Sequence, residues 1–350
     1  ANPCLVPNAA SRFFCPIQEK EIGWEAKDVF NPAAVVKDDR VYLLYRAEDH
    51  EGKYAGTSRV GMAVSEDGLH FQTMPEPVLY PEKDEFSIYE WEGGCEDPRI
   101  VETKDGKYFL YYTSFNGKVA LLSCAESTDL VHWKKHGPIF KDTLNGKYKD
   151  LWSKSGAVVC RQEGDHFYPV KLKETYWMYW GESDIYAATS DDLIHWTPVE
   201  FLADGADPSH SFSQHDSRCK DNDEVARVLL PIIRPRVGNY DEFLCEPGPQ
   251  AILTDAGIVL IYNGKGDNPE RLGGHDTMYQ GGQLLIDPEN PTCLIARTTR
   301  PFISPSEAFE LEGQVMPTCF LEGLVSFHGR YYMYYGTADS KVAVASAPQK

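Results

Sequence analysis

Residues 60–71 read VGMAVSEDGLHF, and the same pattern returns at 122–133 as LSCAESTDLVHW and at 185–196 as IYAATSDDLIHW. Each copy is an apolar run of strand-forming residues, then a turn rich in Ser and Asp, then a His followed by an aromatic residue. The histidines, His70, His132 and His195, fall at one position of the turn, which indicates a structural repeat. The chain is therefore predicted to contain copies of one β unit.

A second pattern, a short strand that ends on Tyr, extends the repeat through the whole chain. It occurs at 42–45, 108–111, 176–179, 259–262 and 331–334, and the terminal tyrosines lie 66, 68, 83 and 72 residues apart. No stretch keeps a helical apolar period over several turns. The sequence predicts an all-β chain that folds as a five-bladed β-propeller. We expect one domain over residues 1–350, with 1–29 as an N-terminal extension.

The charge of the chain restricts its partners. Lys and Arg number 34 against 53 Asp and Glu, a net charge of −19. Such a charge repels nucleic acid and anionic membranes at long range, so neither is expected as a partner. No apolar run approaches the roughly 18 residues of a membrane span, so no membrane insertion is expected. A neutral ligand fits this composition better.

The nine cysteines show no CxxC spacing, so neither a metal nor another cofactor is expected, and most cysteines are predicted to be buried thiols. A pairing of Cys4 with Cys15 is left open. The chain begins at Ala1 without Met, which favours an exported, periplasmic or extracellular protein, with a cytoplasmic location as the alternative. The oligomeric state is not indicated.

Polar residues stand ahead of the Tyr strands, where the innermost strand of each blade would begin. Fourteen residues before Tyr45 and Tyr111 stand Asn31 and Asp97, each followed by Pro. These starts converge on the central channel of a propeller, so we expect one pocket there. The later units contribute Lys154, Glu246 and the pair Met316-Pro317.

A second polar set directly follows the Tyr strands. It contains Arg46, Asp49, Trp180, Glu182 and Asp339. A solvated turn explains any one of them equally well, but several at equivalent positions favour a site. Facing carboxylates, an arginine and aromatic side chains suit a neutral polyhydroxyl ligand. They also suit cleavage of an acetal, in which one carboxyl protonates the leaving oxygen and another activates water.

At these residues the chain closely resembles glycoside hydrolase family 130, the mannoside phosphorylases and β-mannosidases built on a five-bladed propeller. The matching segments are FNPAAVV (30–36), YRAED (45–49), EDPRI (96–100), GPQAI (248–252) and YYGTAD (334–339). They occur in family order and span nearly the whole chain.

The resemblance implies functions for single residues. Asp97 matches the family's aspartate that acts on the sugar in the −1 subsite, where in phosphorylases it protonates the leaving oxygen through a sugar hydroxyl. Lys154 matches a basic residue near the nucleophile side. With these, the predicted substrate-binding set comprises Asn31, Arg46, Asp49, Arg99, Lys154, Trp180 and Asp339.

The chain departs from the family's phosphorylases where those enzymes bind phosphate. They carry a segment with Arg and His after the third Tyr strand, whereas Glu182 stands there in this chain, and Glu246 replaces a small residue. A carboxylate repels a phosphate dianion by about a few kcal/mol at intermediate dielectric. Glu182 is therefore predicted to be the base that activates water, and Glu246, or Asp97 through a sugar hydroxyl, the acid.

These residues predict a glycoside hydrolase, an inverting exo-β-mannosidase. The resemblance implies β-1,2 linkages and a mannose-containing oligosaccharide or glycan as substrate. One alternative is a β-mannoside phosphorylase that releases α-mannose 1-phosphate, which phosphate dependence of turnover would reveal. The other is a carbohydrate-binding propeller without catalysis, which would bind sugar and form no product.

Overall fold

The computed structural model describes residues 2–54, 56–202, 227–267, 277–315 and 317–349. In these ranges the chain is built from β-strands, with one 3-10 turn at Thr143–Gly146 and two single-turn helices, α1 (Ser87–Glu90) and α2 (Ala308–Leu311). No helix there is long and apolar enough to cross a membrane. The prediction of an all-β chain is confirmed.

The first half of the chain forms two antiparallel meanders behind a short hairpin of β1 (Phe13–Cys15) and β2 (Lys20–Ile22). A parallel bridge between Ser58 and Gly94 joins the two meanders into one sheet. The first meander contains β3 (Asp28–Lys37), β4 (Arg40–Glu48), β5 (Ser58–Ser65) and β6 (Gln72–Thr73). The second contains β7 (Gly94–Glu102), β8 (Tyr108–Phe115), β9 (Ala120–Ser127) and β10 (Lys134–Pro138).

The second half continues the same antiparallel pattern. The third meander contains β11 (Ala157–Glu163), β12 (His166–Pro169), β13 (Lys171–Leu172), β14 (Thr175–Trp180), β15 (Tyr186–Ser190) and β16 (Trp196–Pro198), followed by the pair β17 (Glu200–Leu202) and β18 (Arg227–Leu229). The fourth contains β19 (Leu244–Pro247), β20 (Ala251–Thr254), β21 (Gly257–Asp267), β22 (Thr277–Ile286) and β23 (Leu294–Arg297). The fifth contains β24 (Cys319–Phe327), β25 (Arg330–Thr337) and β26 (Lys341–Pro348). Parallel pairing of β11 with β20 joins the third and fourth meanders.

The five repeated tyrosines lie within β4, β8, β14, β21 and β25 and are fully buried, and each hydroxyl group donates a hydrogen bond. Three of these bonds reach a turn of the next meander, from Tyr111 to the carbonyl of Leu193, from Tyr179 to that of Pro291 and from Tyr334 to that of Gly68. The other acceptors are Glu25 for Tyr45 and Asp241 for Tyr262. Because a buried hydroxyl needs a partner, these contacts help to fix the position of each repeated strand.

The repeated turns explain the recurring Ser, Asp and His. The Ser65 hydroxyl accepts a hydrogen bond from the backbone N–H of Gly68, and the Asp67 carboxylate accepts one from that of His70. His70 Nδ1 also lies 2.7 Å from Asp67 Oδ2. The same contacts recur in the turns at 127–132 and 190–195. All three histidines are thus turn residues, as the repeat predicts.

The meanders contact one another in a closed circle. Within the described ranges, five buried apolar clusters each lie between two successive meanders, and one of the five joins the fifth meander to the first. The N-terminal segment adds to this closure, because Leu5 bridges Val342 of β26. Since strand pairing merges some meanders into larger sheets, the count of five blades stays a prediction. The division into one domain with an extension at 1–29 also stays a prediction.

Cys4 and Cys15 are both free thiols, so the pairing left open by the sequence is not formed. Cys15 is buried, and its Sγ lies 3.7 Å from a guanidinium nitrogen of Arg59.

Candidate active site

Two backbone bulges bring Asn31 and Asp97 together. The pairing of β3 with β4, and of β7 with β8, shifts register at these residues. Their φ angles are 49° and 46°, a left-handed conformation that non-glycine residues rarely adopt and that is often found at functional sites. Bulges of this kind re-aim side chains. Asn31 Nδ2 donates a hydrogen bond of 2.9 Å to Asp97 Oδ1.

Asp97 is the negative centre of the cluster. Its side chain is only 4% exposed, and it pairs with Arg46 at 3.0 Å and with Lys154 at 3.1 Å. Burial acts to raise the pKa of Asp97, but Lys154 and Arg46 outweigh it and hold that pKa well below its usual range. Asp97 is therefore ionised at every working pH.

Segment 152–155, which precedes β11, reaches three carboxylates. A hydrogen bond of 2.9 Å from the Gly181 N–H to the Lys154 carbonyl holds this segment in place. Its side-chain contacts are Trp152 Nε1 to Glu182 Oε2 at 2.6 Å, Lys154 Nζ to Asp97 Oδ2 at 3.1 Å, and Ser155 Oγ to Glu246 Oε1. Three residues of one four-residue segment thus contact all three carboxylates that the sequence predicts to be catalytic.

Glu246 is buried to the same extent as Asp97, which has two ion pairs to cations. It is 3% exposed, and desolvation raises its pKa to about 7. The charge of Glu182 acts in the same direction, whereas Lys154 and the hydrogen bond from Ser155 act against it. A carboxyl group with this pKa can hold a proton near neutral pH and release it, as a general acid must.

Arg46 is surrounded by carboxylates, two of which the sequence did not single out. Besides Asp97 it contacts Glu48 at 2.8 Å and Glu96 at 3.2 Å, and its guanidinium group lies 4.8 Å from the ring centre of Phe30. Glu48 follows Arg46 by two residues and lies in the segment YRAED (45–49). Glu96 directly precedes Asp97 and lies in the segment EDPRI (96–100). Only their ion pairs distinguish them from ordinary strand residues.

Arg99 pairs with a third carboxylate that the sequence did not identify, Glu322. The two side chains are 2.8 Å apart and both are buried. Neither carboxylate oxygen of Glu322 has a partner with hydrogen-bond geometry among the described residues, and desolvation raises its pKa well above the usual range. Arg99 also donates to the backbone carbonyls of Asp97 and Pro247, each at 3.0 Å.

Glu322 occupies the bulge of the fifth meander, between Leu321 and Gly323, as Asn31 does in the first. The sequence pointed instead to Met316-Pro317, and Met316 lies outside the described residues. Glu322 precedes Tyr334 by only 12 residues, so a fixed count of 14 misses it.

Asp339 lies in electrostatic range of the same cluster. Desolvation raises the pKa of its carboxyl group to about 7, with a further rise from Asp97 and Glu48, while Arg46 opposes both. Its φ angle of 51° places it in the left-handed region. Asp339 is thus a second carboxyl group that titrates near neutral pH.

The structure does not bring Trp180 or Asp49 to the cluster. Trp180 is 1% exposed and packs in the apolar core against Phe140 and Tyr186. Asp49 pairs with the buried Arg59 at 2.7 Å, and its other oxygen accepts the N–H groups of residues 51, 52 and 57. Both side chains hold the fold together, and the tryptophan beside the carboxylates is Trp152.

The cluster combines groups with different protonation states. Asp97 is held ionised between two cations, Glu246 titrates near neutral pH, and Glu182 stands near both Lys154 and Glu246. No group of three or more His, Cys, Asp or Glu in the described ranges is arranged to hold a metal ion. The arrangement suits acid/base chemistry on a neutral ligand.

Three known proteins show how far the similarity extends. The 1,2-β-oligomannan phosphorylase of Thermoanaerobacter sp. (strain X514) is 29% identical over 366 residues, covering 99% of this chain and 95% of that protein. A solved glycosyl hydrolase from Bacteroides ovatus is 41% identical, with a TM-score of 0.87 and coverage of 100% of this chain and 93% of that one. A third structure is 39% identical, with a TM-score of 0.88 and coverage of 100% and 94%. The description of that structure says that the GH130 family of mannoside phosphorylases contains glycoside hydrolases that target β-1,2 mannosidic linkages in Candida mannan.

The family model that matches this chain carries the description β-1,4-mannooligosaccharide phosphorylase. The match runs over residues 16–350 and includes every residue of the polar cluster. The resemblance read from the sequence motifs is confirmed. The chain belongs to glycoside hydrolase family 130, a family of enzymes that act on mannosides.

Proposed function

We propose that this enzyme is an inverting exo-β-mannosidase that hydrolyses β-1,2-linked mannosides. The contact of segment 152–155 with Glu182, Asp97 and Glu246 carries the proposal. Asp97, ionised between Lys154 and Arg46, holds and polarises the terminal mannose. Glu246, whose pKa of about 7 lets it carry a proton, protonates the leaving oxygen. Glu182 takes the proton of the attacking water.

We also propose that the five meanders are five blades around a central axis. Two observations support this arrangement: the apolar clusters between successive meanders close a circle, and the inner strands line one narrow cavity. In such a ring, the bulges of β3, β7 and β24 point at one central pocket. A crystal structure with another blade count would overturn this proposal.

Phosphorolysis is the alternative, and the relatives favour it, since the family model and the 29% identical enzyme are both named as phosphorylases. The electrostatics of the cluster favour water. Lys154 and Arg46 are already paired with Asp97 and Glu96, and Glu182 and Glu246 are close enough to Lys154 to raise its pKa. A phosphate dianion there would meet about a few kcal/mol of repulsion from each unpaired carboxylate.

Turnover of β-1,2-mannobiose is expected to proceed without phosphate and to yield mannose. The assay incubates enzyme and disaccharide with and without inorganic phosphate and identifies the sugar by anion-exchange chromatography. Proton NMR of the first product should show the α-anomer, as inversion requires. Strict dependence on phosphate, with mannose 1-phosphate as product, would establish the phosphorylase instead. Sugar binding without any product would identify a non-catalytic module.

The pH profile should show the titration of Glu246. If this residue is the acid, kcat/KM should be lost as pH rises through about 7, because the protonated form disappears. The Ser155 hydrogen bond stabilises the ionised form, so Ser155→Ala should move this alkaline limb upward by roughly 0.5 to 1 pH unit.

Ser153 provides the matched control, because its hydroxyl accepts the N–H of Leu122 and, within the described ranges, makes no hydrogen bond to Glu246. Ser153→Ala should therefore keep the wild-type limb. An unshifted limb in Ser155→Ala would remove Glu246 from the role of acid.

A further inference from the structure

Three aromatic side chains form a row that starts at the candidate active site. Trp152 lies 6.3 Å from Phe115 and Phe115 lies 5.8 Å from Tyr54, measured between ring centres. Trp152 is 48% exposed and Tyr54 is 38% exposed, unlike the anchor tyrosines, which are buried. The row crosses the first three meanders, from the loop after β4, through the end of β8, to the segment before β11.

Glycines beneath the row allow its rings to approach the backbone. A Cβ atom on Gly93 would lie 2.2 Å from the Phe115 ring, and one on Gly117 would lie 2.2 Å from the Tyr54 ring. Any larger residue at either position would displace the ring above it. The rings thus rest on glycine backbone and keep part of their surface in solvent.

The row is continuous with the candidate active site through Trp152. Its indole N–H donates to Glu182 at 2.6 Å, so one end of the row touches a carboxylate of the site. The other two rings extend from there over neighbouring meanders. An exposed apolar surface in this place is suited to the faces of sugar rings, which carry C–H groups that pack on aromatic rings.

We propose that Tyr54, Phe115 and Trp152 bind the sugars of the leaving group beyond the scissile bond, and so give the enzyme a preference for mannosides longer than a disaccharide. The inference rests on the proposed removal of a terminal mannose. The enclosed polar cluster around Asp97 then receives one sugar, and the rest of the chain lies outside it. Trp152, next to Glu182, meets the first of these sugars, and Phe115 and Tyr54 meet later ones.

Kinetics on substrates of increasing length test the row. Phe115→Ala and Tyr54→Ala should raise KM for β-1,2-mannotriose and mannotetraose by about 2- to 12-fold, the equivalent of one lost aromatic stack. The rise for β-1,2-mannobiose should be smaller, and kcat should change less than KM. Equal rises for all three substrates, or no rise for any, would overturn the proposal.

Two further variants separate binding from support of the loop. Phe115→Leu keeps an apolar side chain over Gly93 but has no flat face, so it should show most of the loss seen with Ala. A wild-type KM in Phe115→Leu would mean that Phe115 only supports the loop, and the proposal would fail. Phe14→Ala removes an aromatic that is 58% exposed on β1, and should behave as wild type.

Running every assay with and without phosphate keeps the two proposals apart. If turnover needs phosphate, hydrolysis is refuted. The rise in KM of the variants on substrates of different length, measured with phosphate present, then still tests whether the row binds sugars. If turnover is phosphate-independent and the rise in KM from wild type to variant is the same for every chain length, the row alone is refuted.

Discussion

Glu182→Gln is expected to lower kcat on β-1,2-mannobiose by about 10²- to 10⁴-fold, the usual contribution of a general base. Glutamine retains the size of the side chain and an oxygen that accepts the hydrogen bond from Trp152, so the fold should persist. It cannot take a proton from water. Steady-state kinetics on the purified variant measure the loss, and circular dichroism checks the fold.

Glu246→Gln separates the acid from the base. An activated mannoside, such as the 2,4-dinitrophenyl glycoside, needs little protonation of its leaving oxygen. In Glu246→Gln, kcat for the activated mannoside should therefore fall much less than kcat for the disaccharide. In Glu182→Gln, kcat should fall equally for both substrates. Glu163→Gln is the control, since Glu163 is exposed and pairs with Lys104 on the surface. Near-wild-type turnover of mannobiose by Glu182→Gln would refute its role as base and make Asp184 the next candidate.

The fold could be predicted because its determinants are local. The Ser-Asp-His turn is closed by contacts within six residues, as between Asp67 and His70. The turn can therefore be predicted from these residues alone. The Tyr anchors can also be recognised in the sequence, because each follows a short apolar run and its hydroxyl group needs a buried partner. The number of blades depends on how meanders pack around an axis, which no local pattern encodes.

The candidate site could be predicted where strand register fixes position. Asn31 and Asp97 precede their Tyr anchors by the same number of residues. In the structure, Asn31 Nδ2 lies 2.9 Å from Asp97 Oδ1. Glu322 escaped this count because its anchor is nearer along the chain. Trp180 was selected because it directly follows Tyr179, but β14 is buried from Trp177 to Trp180. The position after a Tyr anchor therefore does not reveal whether a side chain reaches the site or the core.

The ion pairs of the site are invisible in the sequence. Glu96 and Asp97 are adjacent carboxylates, yet desolvation raises the pKa of the first while Lys154 and Arg46 lower that of the second despite its burial. Distances to cations on other segments of the chain decide this difference. A sequence identifies which groups can titrate, and only the packing of several meanders sets their pKa values.

Asp97→Asn is expected to lose both activity and stability. The substitution removes the charge that Lys154 and Arg46 contact at 3.1 and 3.0 Å, and breaking a buried pair by removing one partner costs about 3–5 kcal/mol. The lost electrostatic stabilisation in the site should lower kcat by about 10²- to 10³-fold. Kinetics and urea denaturation at pH 7 measure the two effects.

The stability loss should depend on pH in a defined direction. Because the pKa of Asp97 is depressed in the folded state, its stabilising contribution is present above the unfolded pKa of about 3.9 and is lost as pH falls below that value. The gap between wild type and variant should therefore narrow under acid conditions. Asp49→Asn is the matched control, since Asp49 is an equally buried carboxylate paired with Arg59 at 2.7 Å away from the cluster. It should lose similar stability with a much smaller fall in kcat, whereas equal losses of kcat in both variants would show that Asp97 acts on the fold and not on the sugar.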